Sequence, residues 1–227
     1  MRIKKNKLDN PVWNSLNETH KRHSLEYDGI RFYIPEYCPF GGFIKTNNLV
    51  KGLNQYSTLI KNFYVVGEKP LFNNALSINK NIVCNQMLLE KPIDLDVNEQ
   101  IVELKTEHQK TDLFDLVNLA QPGYFKNKTS DLGKYFGIYK NEKLISVTGE
   151  RMKMDEFTEI SAVVTHPEYT GNGYAKQLIN LTTSKVFNEN KIPYLHVAES
   201  NIGAIKLYEK LGFTTRRKIS FWNIIIN

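Results

Sequence analysis

Two cysteines, Cys38 and Cys84, are all that 227 residues contain. That is too few for a disulfide framework, and no CxxC pair or Cys/His cluster offers the spacing of a zinc site. Such usage is expected of a reducing, intracellular compartment. Long apolar runs are missing as well. No stretch approaches the roughly 18 residues needed to span a bilayer, and MRIKKNKLDNPVW lacks the apolar core of roughly 7–15 residues that a secretory signal carries. The expectation is a cytoplasmic protein with no membrane partner. Repeats and low-complexity tracts are also absent. The net charge of +6 does not bring a nucleic-acid pattern with it: the densest basic runs, Arg2–Lys7 and Arg216–Lys218, are short and lie in no recognisable module. Lysines scattered over solvated faces account for the charge, and their field would steer a polyanionic ligand. No nucleic-acid partner is expected.

What is present is ordinary globular composition, 41% hydrophobic and 24% charged, enough for one large domain or two of roughly 100–130 residues. The least patterned stretch, Lys91–Gln100 (KPIDLDVNEQ), separates a region 1–97 from a region 98–227. In the first, Asn10–His23 reads as a helix with Asn10 as N-cap and Pro11 in the first turn. Ile30–Ile34, Phe63–Val66 and Ile82–Leu89 read as strands and Asn47–Tyr56 as a helix, giving a mixed α/β region with no chemical motif. In the second, the pattern predicts strands at Ile101–Glu107, Tyr135–Tyr139, Leu144–Met152, Phe157–Thr165, Tyr194–Ala198 and Arg217–Ile226. Helices are predicted at Thr111–Ala120, Gly171–Glu189 and Ile202–Leu211, with a helical turn at Ser130–Lys134. This order is an α/β arrangement around one sheet. The apolar ending FWNIII reads as a sheet strand, within the chain or shared across a homodimer.

Two segments carry chemistry. In EISAVVTHPEYTGNGYAKQLI a strand runs through a turn punctuated by Gly171 and Gly173 into a helix. The glycines leave backbone N–H groups unobstructed at a helix N-terminus, which also carries roughly half a positive charge. That combination suits a phosphate or pyrophosphate. There is no GxxxxGK[ST], which removes the P-loop, and GNGYA lacks the GxGxxG spacing of a dinucleotide fingerprint. In the second segment, YLHVAESNIGAIKLYEKLGF, a strand ends near Asn201 and a helix turns Tyr208 inward.

Together, in this order and spacing, the two segments resemble the GNAT superfamily of acetyl-coenzyme A-dependent N-acyltransferases. The SAVVTHPEY strand end, the PGYF stretch Pro122–Phe125 and the GER of Gly149–Arg151 are similar to its FR47-like branch. The resemblance covers about residues 101–222. It implies the GNAT acyltransferase fold, a mixed central sheet flanked by helices, preceded by a mixed α/β half. That leading half is either a degenerate copy of the same fold or a lid and scaffold, and both readings stay open. The resemblance further implies that backbone groups of Val163, Val164 and Thr165 pair with the pantetheine arm. Amides of Gly171, Asn172, Gly173, Tyr174, Ala175 and Lys176 would hold the pyrophosphate, Asn201 would bond the cofactor arm, and Tyr208 would protonate the leaving thiolate. Thr170 departs from the family's preferred Arg or Gln, which removes a side-chain contact and spares the backbone cradle. Acetyl-coenzyme A is the expected cosubstrate, with no metal.

The chemistry asks for an uncharged amine, donors for an oxyanion and a proton for the thiolate. Glu159 and Glu150 are the candidate bases. His196 is a third, expected instead as a core histidine. His166 is expected in a structural role before the loop, and Cys84 as inert. The leading expectation is transfer of an acetyl group to a primary amine of a small molecule or amino acid. Three other readings are transfer to a peptide or protein amine, a non-catalytic acetyl-coenzyme A sensor, which would not need Tyr208, and nucleic-acid binding through basic surface.

Overall fold

A computed structural model describes residues 5–44 and 49–227; Arg2–Lys4 of the basic run and Asn47 and Asn48 of the predicted helix lie outside them. In the first region the elements are α1 (Pro11–Asn17), β1 (Ser24–Tyr27), β2 (Ile30–Tyr33), β3 (Phe40–Phe43), α2 (Leu49–Ser57), β4 (Asn62–Val66) and β5 (Leu76–Leu88). The second region supplies β6 (Ile101–Glu103), α3 (Glu107–Ala120), β7 (Tyr135–Lys140), β8 (Lys143–Lys153), β9 (Phe157–Thr165), α4 (Tyr174–Asn188), β10 (Ile192–Ala198), α5 (Ile202–Lys210) and β11 (Thr214–Ile226).

All eleven strands of the described residues join one mixed sheet in the order β1-β2-β3-β4-β11-β5-β10-β9-β8-β7-β6. The order crosses the Lys91–Gln100 stretch three times, from β4 to β11, from β11 to β5 and from β5 to β10. The long antiparallel ladder of β5 with β11 runs from Thr214↔Leu88 to Ile226↔Leu76, while β11 pairs with β4 on its other edge. The apolar FWNIII ending is therefore a central strand of its own chain's sheet, flanked on both sides.

Alternation along the strands sends successive side chains to opposite faces. On one face α3 packs Leu113, Leu116 and Val117 against Tyr135, Val147 and Val164. On the other, α4 and α5 cover Ile160, Leu195, Val197 and Met87 with Ile179, Val186 and Tyr208.

Several boundaries differ from the sequence expectation for local reasons. The predicted strand Ile101–Glu107 stops at Glu103, because Thr106 caps α3: its hydroxyl accepts from Gln109 N–H while the Gln109 side chain accepts from Thr106 N–H. That capping box satisfies two orphan donors and starts the helix four residues early. The first helix ends at Asn17 rather than His23, since His20 turns inward to bond Ser15, Tyr33 and the Leu132 carbonyl. The predicted helical turn at Ser130–Lys134 is a 3-10 turn at Thr129–Leu132. β5 and β11 each extend beyond the predicted span because each is the other's partner.

Candidate active site

β9 and β10 run parallel, but they pair only from Phe157↔Ile192 to Glu159↔Tyr194. Beyond that point β9 continues to Thr165 and β10 to Ala198 without pairing each other, so the sheet splits. On its other edge β9 bulges: Val164 pairs with Val147 and Ser161 with Gly149, leaving Ala162 and Val163 opposite Thr148. Ala162 has φ +50°, the left-handed conformation that such an inserted residue can need and that alanine rarely adopts. Val163 then lines the split, Val164 is buried toward α3, and the Thr165 hydroxyl bonds Ser146 Oγ at 2.7 Å. What these three residues can offer a ligand is main chain.

The loop after β9 delivers the helix. Gly171 and Gly173 have φ +83° and +76°, values glycine adopts freely and other residues do not. Gly173 is the N-cap of α4 and brings no side-chain hydrogen bond to it. The first N–H groups of the helix, from Tyr174, Ala175 and Lys176, are thus presented outward with the positive end of the dipole behind them. Asn172 turns its amide back to the Tyr169 and Thr170 carbonyls, stiffening the loop. Thr170 bonds the Pro167 carbonyl, and His166 Nδ1 accepts from Glu168 N–H, the structural role expected of it.

At the split lies a cavity of about 260 Å³. It passes through the sheet, for its lining includes Ala204 and Tyr208 from the α4/α5 face and Phe40, Arg151, Glu159 and His196 from the other. Asn201 lines it too, while its side-chain oxygen caps α5 by accepting from Ala204 N–H at 3.1 Å. Tyr208 is buried, and burial pushes its phenol up to about 12.

The fully buried Glu159 receives Arg151 in a bidentate pair, Nε to Oε2 at 2.8 Å and Nη2 to Oε1 at 3.0 Å, and lies 2.8 Å from His196 Nδ1. Burial alone would raise this carboxyl, but Arg151 and His196 outweigh it and carry it down to about 2. Phe40, from β3, stacks beneath the Arg151 guanidinium at 4.8 Å, a contact that suits a flat, weakly hydrated cation.

The structure does not bring Glu150 into this group. It neighbours Arg151 on β8 and so points to the opposite face, where Lys153 Nζ bonds it at 2.6 Å and Lys134 N–H at 3.3 Å. It lines no part of the cavity. Among the expected residues, Glu159, Val163, His196, Asn201 and Tyr208 meet at the cavity, and the Gly171–Lys176 loop adjoins the same end of β9.

Sequence reasoning passed over Phe40, Tyr124 and Phe221, which line the cavity, and Gln86, which bonds His196, and it gave Arg151 no place at the site. The signals for Arg151 and Tyr124 lay in the GER and PGYF stretches. Gly149 of GER is there because the Tyr135 ring lies across it: a Cβ would fall 2.2 Å from Tyr135 Cδ1. Among the described residues no cluster of three or more His, Cys, Asp or Glu could hold a metal, and no helix is long and apolar enough to cross a membrane.

A search of curated proteins finds no match. Among solved structures, the chain is similar to a GNAT-family acetyltransferase from Novosphingobium aromaticivorans, with 27% identity, TM-score 0.87 and coverage of 97% of this chain and 98% of that one. In fold it is similar to a GCN5-related N-acetyltransferase from Kribbella flavida (11% identity, TM-score 0.63, 100% and 96% covered) and to a GCN5-related N-acetyltransferase-like protein from Streptococcus suis (14%, 0.60, 93% and 92%). The model of the acetyltransferase (GNAT) family matches residues 98–213, over half the chain. With the split sheet and the glycine-capped helix this match agrees, and the chain belongs to the GNAT acetyltransferase family.

Proposed function

We propose that the protein transfers an acetyl group from acetyl-coenzyme A to a primary amine of a small molecule or amino acid, as an FR47-like member of its family, with Tyr208 as general acid. One observation carries the reading: a helix N-terminus with no side-chain cap bond, set on two left-handed glycines, adjoins a split in the sheet whose cavity holds a buried phenol.

The residues fit the cosubstrate. Backbone N–H groups of Gly171, Asn172, Gly173, Tyr174, Ala175 and Lys176 would take the diphosphate. The free edge of β9 at Val163, Val164 and Thr165 offers main-chain groups to an extended amide-bearing arm, and Asn201 keeps its amide N–H groups for the same arm. When bound, acetyl-coenzyme A supplies an acyl group activated as a thioester and a thiolate leaving group. Tyr208 holds its proton at Oη through neutral pH and would release it to sulfur as the thiolate departs, and the proton shed by the newly acylated nitrogen would restore the phenol. The same desolvation that strengthens the phenol's hold also makes a thiolate in that cavity a stronger base, so the transfer stays matched. Glu159 fixes Arg151 and His196 as the cavity's polar wall.

Tyr208→Phe tests the assignment. Turnover measured by thiol release should fall at least about tenfold, the lower range for loss of acid catalysis. Acetyl-coenzyme A at about 100 times its dissociation constant should still raise the melting temperature of the variant by the roughly 5–10 °C expected of wild type. Unchanged turnover would retire Tyr208 as the acid, and no thermal shift in wild type would retire the cosubstrate.

A further inference from the structure

This inference rests on the acetyl-transfer reading and asks where the acceptor's proton goes, since only an uncharged amine attacks. The titratable and charged groups at the cavity are Arg151 from β8, Glu159 from β9, His196 from β10, Cys84 from β5, Tyr208 from α5 and Tyr124 from the segment after α3. Glu159 accepts at Oε2 from Arg151 Nε and from Met152 N–H (3.4 Å), and at Oε1 from Arg151 Nη2 and His196 Nδ1. A carboxylate has about four such sites, and all are taken.

His196 is taken as well. Its Nε2 lies 3.1 Å from Gln86 Nε2, and the orientation of that amide is fixed at both ends. Gln86 Oε1 accepts from Arg216 Nη1 at 3.0 Å, and Nε2 donates to the Leu8 carbonyl at 2.8 Å. Flipping the amide would set donor against donor and oxygen against oxygen. Gln86 therefore donates to His196 Nε2, and Nδ1 carries the hydrogen given to Glu159, a tautomer assigned from its neighbours. Burial pushes the Tyr208 phenol and the Cys84 thiol up to about 12 each, which leaves them proton donors; Tyr124 adds another phenol. No side chain at the cavity has a free basic site.

From this geometry we propose that the acceptor nitrogen is an α-amino group beside a carbonyl, as in an amino-acid amide or a peptide N-terminus, rather than an alkyl amine of the lysine side-chain kind. An α-amino group titrates at about 7.7–8.0 and a lysine amine at about 10.4, so at pH 7 the uncharged fraction of the first is larger by about 300-fold. A second feature agrees. Arg151 commits Nε and Nη2 to Glu159, while Nη1 makes no hydrogen bond among the described residues. It is a donor at the cavity wall for the carbonyl oxygen next to such an amine. The cavity, about 260 Å³, is smaller than the roughly 300–1,000 Å³ that takes a drug-sized ligand, and suits one amino-acyl unit between Phe40, Tyr124 and Phe221.

The test is kcat/KM by thiol release in the wild-type enzyme, with alaninamide and with butylamine, between about pH 6 and pH 9.5. At pH 7 alaninamide should be acetylated at least about tenfold faster, the higher intrinsic nucleophilicity of butylamine offsetting part of its smaller free fraction. The alaninamide profile should climb about tenfold per pH unit and level near that amine's own pKa, while the butylamine profile should still be climbing at the upper limit. An alanyl tripeptide run beside alaninamide separates a peptide from a small-molecule source, and either order supports the nitrogen assignment. Both profiles bending at one shared pH would reveal an enzyme base and overturn the proposal. Nitrogen-15 spectra of His196 give a readout without turnover: the Nδ1-protonated ring supports the proposal, and an Nε2-protonated one overturns it. Transfer to butylamine as fast as to alaninamide at pH 7 sinks the proposal while the transferase reading stands. Thiol release from neither amine, with no cofactor-induced thermal shift, removes both.

Discussion

Gly173→Val is expected to lower acetyl-coenzyme A affinity at least about 100-fold, roughly 2.7 kcal/mol, while the free protein melts within a few degrees of wild type. The position has φ +76°, and a β-branched side chain there is a conformational outlier costing about 1–3 kcal/mol. A Cβ would also stand 2.8 Å from Lys176 Cε. The lysine can swing away, but the loop relieves its own strain only by rotating the N–H groups at the start of α4. The loop is largely exposed, so the strain reaches binding more than folding. Gly171→Ala is the control: φ is +83° but nothing lies within 4 Å of the added carbon, so the expected loss is only the left-handed penalty, about 1–2 kcal/mol. Calorimetric titration of the three proteins checks the order. Wild-type affinity in Gly173→Val would remove the loop from the binding site.

Arg151→Met should be the most damaging single change to the fold. It leaves the Glu159 carboxylate buried beside His196 with its principal partner gone, and breaking a buried pair from one side costs about 3–5 kcal/mol. In a chain of this size that lowers the melting temperature by roughly 8–15 °C. The pH dependence gives the diagnosis. In the wild type the carboxyl is held at about 2 against an ordinary 4.5. The pair's contribution, about 3 kcal/mol by that displacement, is present above the ordinary value and disappears as pH falls toward 2. In the variant, burial without the arginine raises the carboxyl instead, so stability is lost as pH rises. The gap between the two proteins should therefore narrow steadily from pH 7 downward in thermal melts. A double variant, Arg151→Met with Glu159→Leu, should recover part of the loss, because the orphaned charge has gone too. A gap independent of pH would show that the arginine contributes packing on Phe40 rather than charge.

The portions of the site that sequence reveals are those built from neighbours in the chain. The two glycines of GNGYA, the helix that follows and Tyr208 on the helix after β10 depend on local backbone geometry and helical period, and both segments stand where the pattern puts them, except that α4 starts at Tyr174 rather than Gly171. The T-x-x-Q of Thr106–Gln109 was equally local, and reading it would have corrected the start of α3. The rest depends on register and topology. Whether Arg151 faces Glu159 or Glu150 turns on which face of β8 carries it and on a bulge in β8 that sets Arg151 and Met152 opposite Glu159, so one residue of uncertainty exchanges the partners. Gln86 controls His196 only because β5, from the other side of the Lys91–Gln100 stretch, inserts between β10 and β11. No periodicity within either region announces that insertion. Phe40 and Phe221 reach the cavity by the same route, which is why the first region looked devoid of chemistry.

The most direct measurement is a crystal structure of the protein with acetyl-coenzyme A. The diphosphate should lie on the N–H groups of Gly171 to Lys176, with the arm along the open edge of β9 and the thioester sulfur beside Tyr208 Oη. A ligand found elsewhere, with that loop making no contact to it, would contradict the account.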